Sequence, residues 1–146
     1  VSAVSMDASR RLAAVFLACA GSAPEAEGLA RSLRADRNTA QLLKRAAAGR
    51  ASYLAAEQGD TDALLELIRI WRGFDAESDL EAPLAVCQAQ SADPRVGRLL
   101  RQTLPAVRAV SVDALRDEGL SGAALGRRIT QARRAAMVSA LREAAS

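Results

Sequence analysis

Apolar residues recur along this chain at the three-and-four spacing of helix faces, with no convincing run of the alternation that marks a half-buried strand. Leu12, Val15, Phe16 and Cys19 line one side of a helix predicted over about Asp7–Cys19, with Gly21 ending it. Ser22 is a good N-cap, Pro24 is tolerated in a first turn, and Glu25 completes a capping box. A short second helix then runs to about Arg34, with Leu29 and Leu33 on one face. Asp36 or Asn38 caps a third helix, about Arg37–Glu57, carrying Leu42, Leu43, Ala46, Tyr53 and Leu54. Gly49 inside it costs about 1 kcal/mol relative to Ala and marks a kink or a close contact. After the turn "QGDTD", a fourth helix over Asp62–Arg72 holds Leu64, Leu65, Leu67, Ile68 and Trp71. As the most apolar helix, it is predicted to be central.

The second half is more strongly punctuated. A loop from Arg72 to Asp79 precedes a short helix around Leu80–Gln90. Asp93 as N-cap and Pro94 as first helical residue start a helix holding Val96, Leu99, Leu100 and Leu104. Pro105 is expected to kink or break it. Ser111 or Asp113 caps a small helix ending at Glu118, and Gly119 suits a left-handed C-cap. Ser121 caps the last helix, Gly122 to about Ala144, with Leu125, Ile129, Ala132, Ala136 and Ala140 as its buried stripe. "VRAVSV" (107–112) comes nearest to a strand and would have nothing to pair with. The chain therefore reads as all-α, with about seven short helices.

Composition agrees. Half of the 146 residues are apolar, mostly Ala and Leu, and the aromatic residues are Phe16, Tyr53, Trp71 and Phe74 alone. Ala and Leu favour helix, and the β-branched and aromatic residues that favour strands are scarce. No apolar run approaches the roughly 18 residues of a bilayer span, and no secretory signal pattern is present. The expectation is a cytoplasmic protein with no membrane partner. Cys19 and Cys87 are too few for a zinc site, which takes about four ligands. A disulfide remains open, but two small buried thiols are the simpler reading. The chain has no histidine, which removes His-based acid–base catalysis, His-dependent triads and His metal sites. Carboxylate and thiol chemistry stay open.

Charge divides the chain. From Arg95 to Arg142 ten arginines face only Asp113, Asp117 and Glu118, a net +7, against +3 for the whole chain. Residues 1–92 thus read as a helical body and 93–146 as a basic helical tail, together forming one or two units. Base composition of the gene can explain why Lys44 is the only lysine. It does not explain why the positive excess collects at one end. Arg95, Arg98 and Arg101 are spaced three apart on one helix, and Arg127, Arg128, Arg133 and Arg134 crowd the last one. Each arginine alone fits a solvated face. Two basic faces together point to phosphate contacts on a folded RNA, and the lack of aromatics argues against single-strand stacking.

The glycines Gly119, Gly122 and Gly126 follow no strand and no Lys-Ser/Thr closes their run, so a nucleotide loop is disfavoured. The simpler reading is a turn at Gly119, with Gly122 and Gly126 permitting close approach of a helix or a backbone. Trp71 reads as core. Asp75, Glu77, Asp79 and Glu81 read as solvation and helix capping.

The segments "RRLAAVF", "EGLARSLRADRN", "ALLELIRIWR", "DPRVGRLL" and "DALRDEGLSGAALGRRITQAR" occur in an order that resembles the carboxyl-terminal region of bacterial class II tRNA nucleotidyltransferases. These are the CCA-adding enzymes and their poly(A) polymerase relatives. Trp71 and Arg72 match a Trp-Arg segment of that family, and Arg34 and Asn38 fall near a Leu-Arg-x-Asn element. Asp113, Leu115, Gly119, Leu120, Gly122, Leu125, Gly126 and Ile129 match its tail pattern. The Gly-Ser loop and paired aspartates of the catalytic head are not in this chain, nor is the neck motif that selects CTP and ATP. The resemblance implies a helical bundle of body and tail that binds the tRNA backbone and positions the 3′ end. CMP or AMP would be added by a catalytic head domain or subunit outside this chain, and magnesium is expected only there. Arg95, Arg98, Arg101, Gly122, Gly126, Arg127, Arg128, Arg133 and Arg134 are the candidate RNA-binding residues. No catalytic or metal-binding residue is expected on this chain, and a homodimer is allowed. The competing reading is a helical scaffold or protein-interaction module without RNA binding.

Overall fold

The computed structural model describes the backbone of residues 3–20, 22–91 and 93–146. It describes side chains from Asp7 onward, except at positions 19, 21, 23 and 92. The expected cap at Gly21 and burial of the Cys19 side chain therefore lie outside the described residues. Among the described residues eight helices follow one another: α1 (Ala3–Cys19), α2 (Ala23–Ser32), α3 (Arg37–Glu57), α4 (Thr61–Ile70), α5 (Glu81–Gln88), α6 (Arg95–Arg108), α7 (Val112–Arg116) and α8 (Gly122–Ala145). Among the described residues there is no strand, and no helix is long and apolar enough to cross a membrane. The protein is all-α.

Short polar side chains start most of these helices by accepting the backbone N–H groups that a first turn leaves unpaired. Asp36 Oδ1 accepts from the N–H of Asn38 at 3.0 Å and of Thr39 at 3.1 Å. The Thr39 hydroxyl donates to the other oxygen, and together these bonds hold the Asp36 carboxyl below its usual range. Asp60 accepts from Asp62 and Ala63, Asp79 from Glu81 and Ala82, and Ser111 from Ala114. Asp93 accepts from Arg95 at 2.8 Å, with Pro94 just outside the helix.

The core forms around α3 and α4. α3 packs against α1, α2, α4 and α5, while α6 lies along α8. Leu64, Leu67, Ile68 and Trp71 are buried from one side of α4 and its C-cap, and Val96, Leu100 and Val107 from α6. Trp71 is core, as its place in the apolar pattern predicts. Gly49 is the close contact, because the Trp71 ring and Leu67 fill the space beside it. Three arginines tie helix ends and loops to the core. Arg50 donates to the carbonyls of Leu17 and Ala20, both at 2.9 Å, at the end of α1. Arg45 donates to those of Trp71 and Asp79, and Arg108 to those of Gly73 and Asp75. Carbonyls at helix ends lack intrahelical donors and carry the negative end of the helix dipole, which favours a cation.

Several expectations change. Helix α6 continues through Pro105. The ring is exposed and the Ala109 N–H still donates to the Pro105 carbonyl at 3.0 Å, so one lost donor does not end the helix. Leu12, Val15, Leu33 and Leu54, placed on buried faces by their spacing, are 48–57% exposed. Here the neighbouring helices cover a narrower arc than the apolar pattern spans. On α8 the fully buried residue is Met137, and the predicted stripe of Leu125, Ile129, Ala132, Ala136 and Ala140 is only half-buried. α2 ends at Ser32, two residues early, and Arg34 takes a left-handed φ of 51°.

Candidate nucleic-acid interface

The tail is built from α6 and α8 packed together, joined by the short α7. The corner between α7 and α8 turns on two glycines. Gly119 has φ +81° and Gly122 φ +54°, a region that side-chain-bearing residues rarely adopt. The expected close approach at Gly122 and Gly126 is not made: nothing lies within 4 Å of where a side chain would begin at either. Gly122 serves backbone geometry, and Gly126 leaves open surface on α8. Ser121 stands at the N-cap of α8 without a side-chain cap bond.

The arginines separate into distinct environments. Arg98 and Arg127 are exposed, and no ion pair or side-chain hydrogen bond engages them among the described residues. Arg101 meets Glu81 of α5 with two bonds, at 3.1 and 2.8 Å, which raise its pKa further. Arg128 meets Glu118 at the α7–α8 corner in the same manner, at 3.1 and 3.3 Å. Arg134 Nε lies 2.7 Å from Asp62 Oδ1 on α4, and Arg95 reaches the Glu57 carbonyl at 3.5 Å. Arg95 and Arg134 therefore flank the turn between α3 and α4.

Arg133 differs from all of these. Its guanidinium sits 3.6 Å from the centre of the Phe74 ring. Burial lowers its pKa, and its Nε has no hydrogen-bond partner among the described residues. It shares a groove with Arg69, Arg134 and Glu66 between α4 and α8.

The nine predicted residues thus lie on two adjoining helices and do not converge on one pocket. Arg133 and Arg134 come together in the α4–α8 groove, whereas Arg101 and Arg128 are drawn towards separate carboxylates. The exposed pairs of Arg101, Arg128 and Arg134 are weak and screened by salt, so a dense anion can compete for them. The arrangement can bind oxyanions. In the 72–79 loop Asp75 accepts from the Glu77 N–H within a turn, and Asp79 caps the start of α5. Among the described residues no three His, Cys, Asp or Glu side chains gather as a metal site would require. Sequence reasoning missed Arg45, Arg50 and Arg108 as clamps and Phe74 as the ring beneath Arg133. Their partners lie 26–35 residues away for the clamps on carbonyls, so no local spacing announces them. Compared with protein-family models, curated proteins and solved structures, the chain matches none of them.

Proposed function

We propose that this chain holds the phosphate backbone of a folded RNA on α6 and α8. In the fuller form of the reading it is the non-catalytic body and tail of a tRNA nucleotidyltransferase. It would act in the cytoplasm and bring the tRNA 3′ end to a head domain or subunit that carries magnesium and adds CMP or AMP. The chain's contribution would be positional. The observation that supports this is the packing of two arginine-rich helices against each other. Among the described residues nothing engages the exposed Arg98 and Arg127, and Arg101, Arg128 and Arg134 are held by exposed pairs. Trp71 is buried and Phe74 lies under Arg133, so neither ring is free to stack a base, which favours a structured RNA over a single strand.

A second reading, a helical scaffold without RNA, draws on one specific observation. Arg133 and Arg134 are engaged within the fold by Phe74 and Asp62. A salt titration of tRNA binding separates the two. Phosphate contacts lower log affinity by about 0.7–0.9 per contact for each unit of log salt. The RNA reading expects binding at low salt with such a slope, and expects Arg98→Glu with Arg127→Glu to weaken it. These two positions are preferable to Arg134, whose reversal would also disturb Asp62. No binding at low salt leaves the scaffold, and an unchanged affinity in the double variant would mean that RNA is not held by α6 and α8.

A further inference from the structure

A second basic cluster lies at the corner between α2 and α3, on the body rather than on the tail helices. Arg31 in the last turn of α2, Arg34 in the connection and Arg37 in the first turn of α3 line a cleft of about 440 Å³. Lys44, further along α3, completes its cations, and Glu27 is the one carboxylate in its walls. The chain outside Arg95–Arg142 carries a net negative charge, so four cations around one carboxylate stand out from their surroundings.

Most of this charge is uncommitted. Arg31, Arg34 and Arg37 are exposed, and no ion pair or side-chain hydrogen bond engages them among the described residues. Glu27 is taken by Lys44, whose Nζ lies 2.7 Å from its Oε1. That bond and the charge of Lys44, with a smaller pull from Arg31, hold the Glu27 carboxyl below its usual range. Both partners of the pair are exposed, so it is weak. Asp36 accepts from the N–H groups of Asn38 and Thr39 and from the Thr39 hydroxyl, and it does not line the cleft.

Arg34 stands there in a conformation that costs stability. The Ala35 N–H donates to the Ala30 carbonyl at 2.9 Å and the Arg34 N–H to that of Arg31 at 3.2 Å, the paired bonds that close a helix through a left-handed residue. Glycine is the usual residue in that place, because a side chain strains it. Arg72 takes the same conformation after α4, so the conformation alone marks nothing. What sets Arg34 apart is its position between Arg31 and Arg37 on one cleft.

Three arginines without partners call for an anion, and the guanidinium fork fits phosphate oxygens. A single phosphate group carries about −2 at most, less than the cluster offers, and two linked phosphates match it more closely. Phosphate oxygens point in several directions, which suits guanidiniums reaching from two helices and the turn between them. A carboxylate takes such a fork in one plane. The remaining walls are Ala30, Ala35, Ala40 and Gln41, which give no aromatic face for a base.

We infer that the cleft between α2 and α3 binds a compact diphosphate group through Arg31, Arg34 and Arg37, with Lys44 beside them.

Isothermal titration of the whole chain with inorganic pyrophosphate in metal-free buffer tests this, with sulfate and citrate as controls. Saturable one-to-one binding with Kd of about 0.1 mM is expected. Sulfate and citrate should each bind about ten-fold more weakly or not at all. Arg37→Gln should weaken pyrophosphate about five-fold. Arg34→Gly should weaken it as much while the urea midpoint holds or rises, since glycine relieves the backbone strain. A loss of binding without a loss of stability is one that a structural role alone would not produce. Arg98→Glu with Arg127→Glu in the tail should leave the affinity unchanged to within about three-fold. The proposal is overturned if pyrophosphate shows no saturable binding, or if sulfate or citrate binds as tightly. It is overturned equally by unchanged affinity in folded Arg34→Gly or Arg37→Gln, or by loss of binding in the tail variant, which would place the anion on α6 and α8. RNA binding by those helices is decided separately by the tRNA titration, and it can fail while the cleft binds pyrophosphate.

Discussion

The indole of Trp71 occupies the space that a side chain at position 49 would need. A methyl group on Gly49 would come within 2.7 Å of the indole Cε2 and 2.9 Å of Leu67 Cδ1. The same ring donates from Nε1 to the Arg45 carbonyl at 2.9 Å, while Arg45 Nη2 donates to the Trp71 carbonyl at 3.2 Å. The bonds run in both directions, so α3 and the end of α4 are locked at one separation.

Gly49→Ala should therefore destabilise the protein by about 1–3 kcal/mol through overpacking, even though alanine is the better helix former by about 1 kcal/mol. Gly126→Ala, with nothing within 4 Å, should instead stabilise by up to about 1 kcal/mol. Urea unfolding of the two variants measures both signs. Stabilisation by Gly49→Ala would mean that the helices can separate freely.

Tyr53→Phe keeps the ring and removes a buried hydroxyl that lies near Glu57 and Ser91 without a well-formed hydrogen bond among the described residues. Its unfolding free energy should be unchanged to within about 0.5 kcal/mol or should rise, since no well-formed hydrogen bond is lost. Tyr53→Ala should cost about 3–5 kcal/mol by leaving a cavity. If Tyr53→Phe costs more than about 1 kcal/mol, an ordered water already serves the hydroxyl.

Alkaline pH should expose the same region. Burial, and then the negative charge of Glu57, raises the Tyr53 pKa from 10.0 to about 12. Burial raises that of Cys87 from 9.0 to about 12. Both groups are raised in the folded state, so their contribution is complete below the unfolded values and fades as pH rises from 9 towards 12. Urea midpoints at pH 8, 9, 10 and 11 should fall in this order, and the fall should flatten in Tyr53→Phe with Cys87→Ala. An equally steep fall in the double variant would assign it to other groups.

The tail arginines should divide by their surroundings. Arg133→Ala removes the cation over Phe74 and the apolar stem beside it, with an expected cost of about 1–2 kcal/mol. Arg98→Ala and Arg127→Ala should stay within about 0.5 kcal/mol, as exposed positions without partners do. Thermal unfolding of the three variants is the measurement. A large loss at Arg98 or Arg127 would reveal a structural role that their exposure does not suggest.

The helices were legible because their signals are local. Asp36, Asp60, Asp93 and Ser111 each accept N–H groups two or three residues on, and the bounds of α3 follow from its cap and its periodicity. Gly49 could be marked as a contact, but its partner Trp71 lies on another helix. Val15 and Phe16 show where reading stops. Both fit the apolar pattern of α1, yet one is 57% exposed and the other 8%, because the neighbouring helices decide which arc is covered. The candidate RNA site was legible as residue types and charge, not as geometry. The count of arginines is visible in the chain, while their engagement with Glu81, Glu118, Asp62 and Phe74 depends on folding.

By itself, the amino-acid sequence determined that this protein is helical, where most of its helices begin, and that its positive charge lies towards one end. These follow from propensity, capping and composition, which act over a few residues or none. Only the tertiary structure decided that Arg45, Arg50 and Arg108 serve as clamps, that Arg98 and Arg127 stay unengaged, and that Tyr53 and Glu57 share a cavity. Those outcomes depend on contacts between residues on different helices, or on which face of one helix its neighbours cover. No local spacing along the chain encodes either.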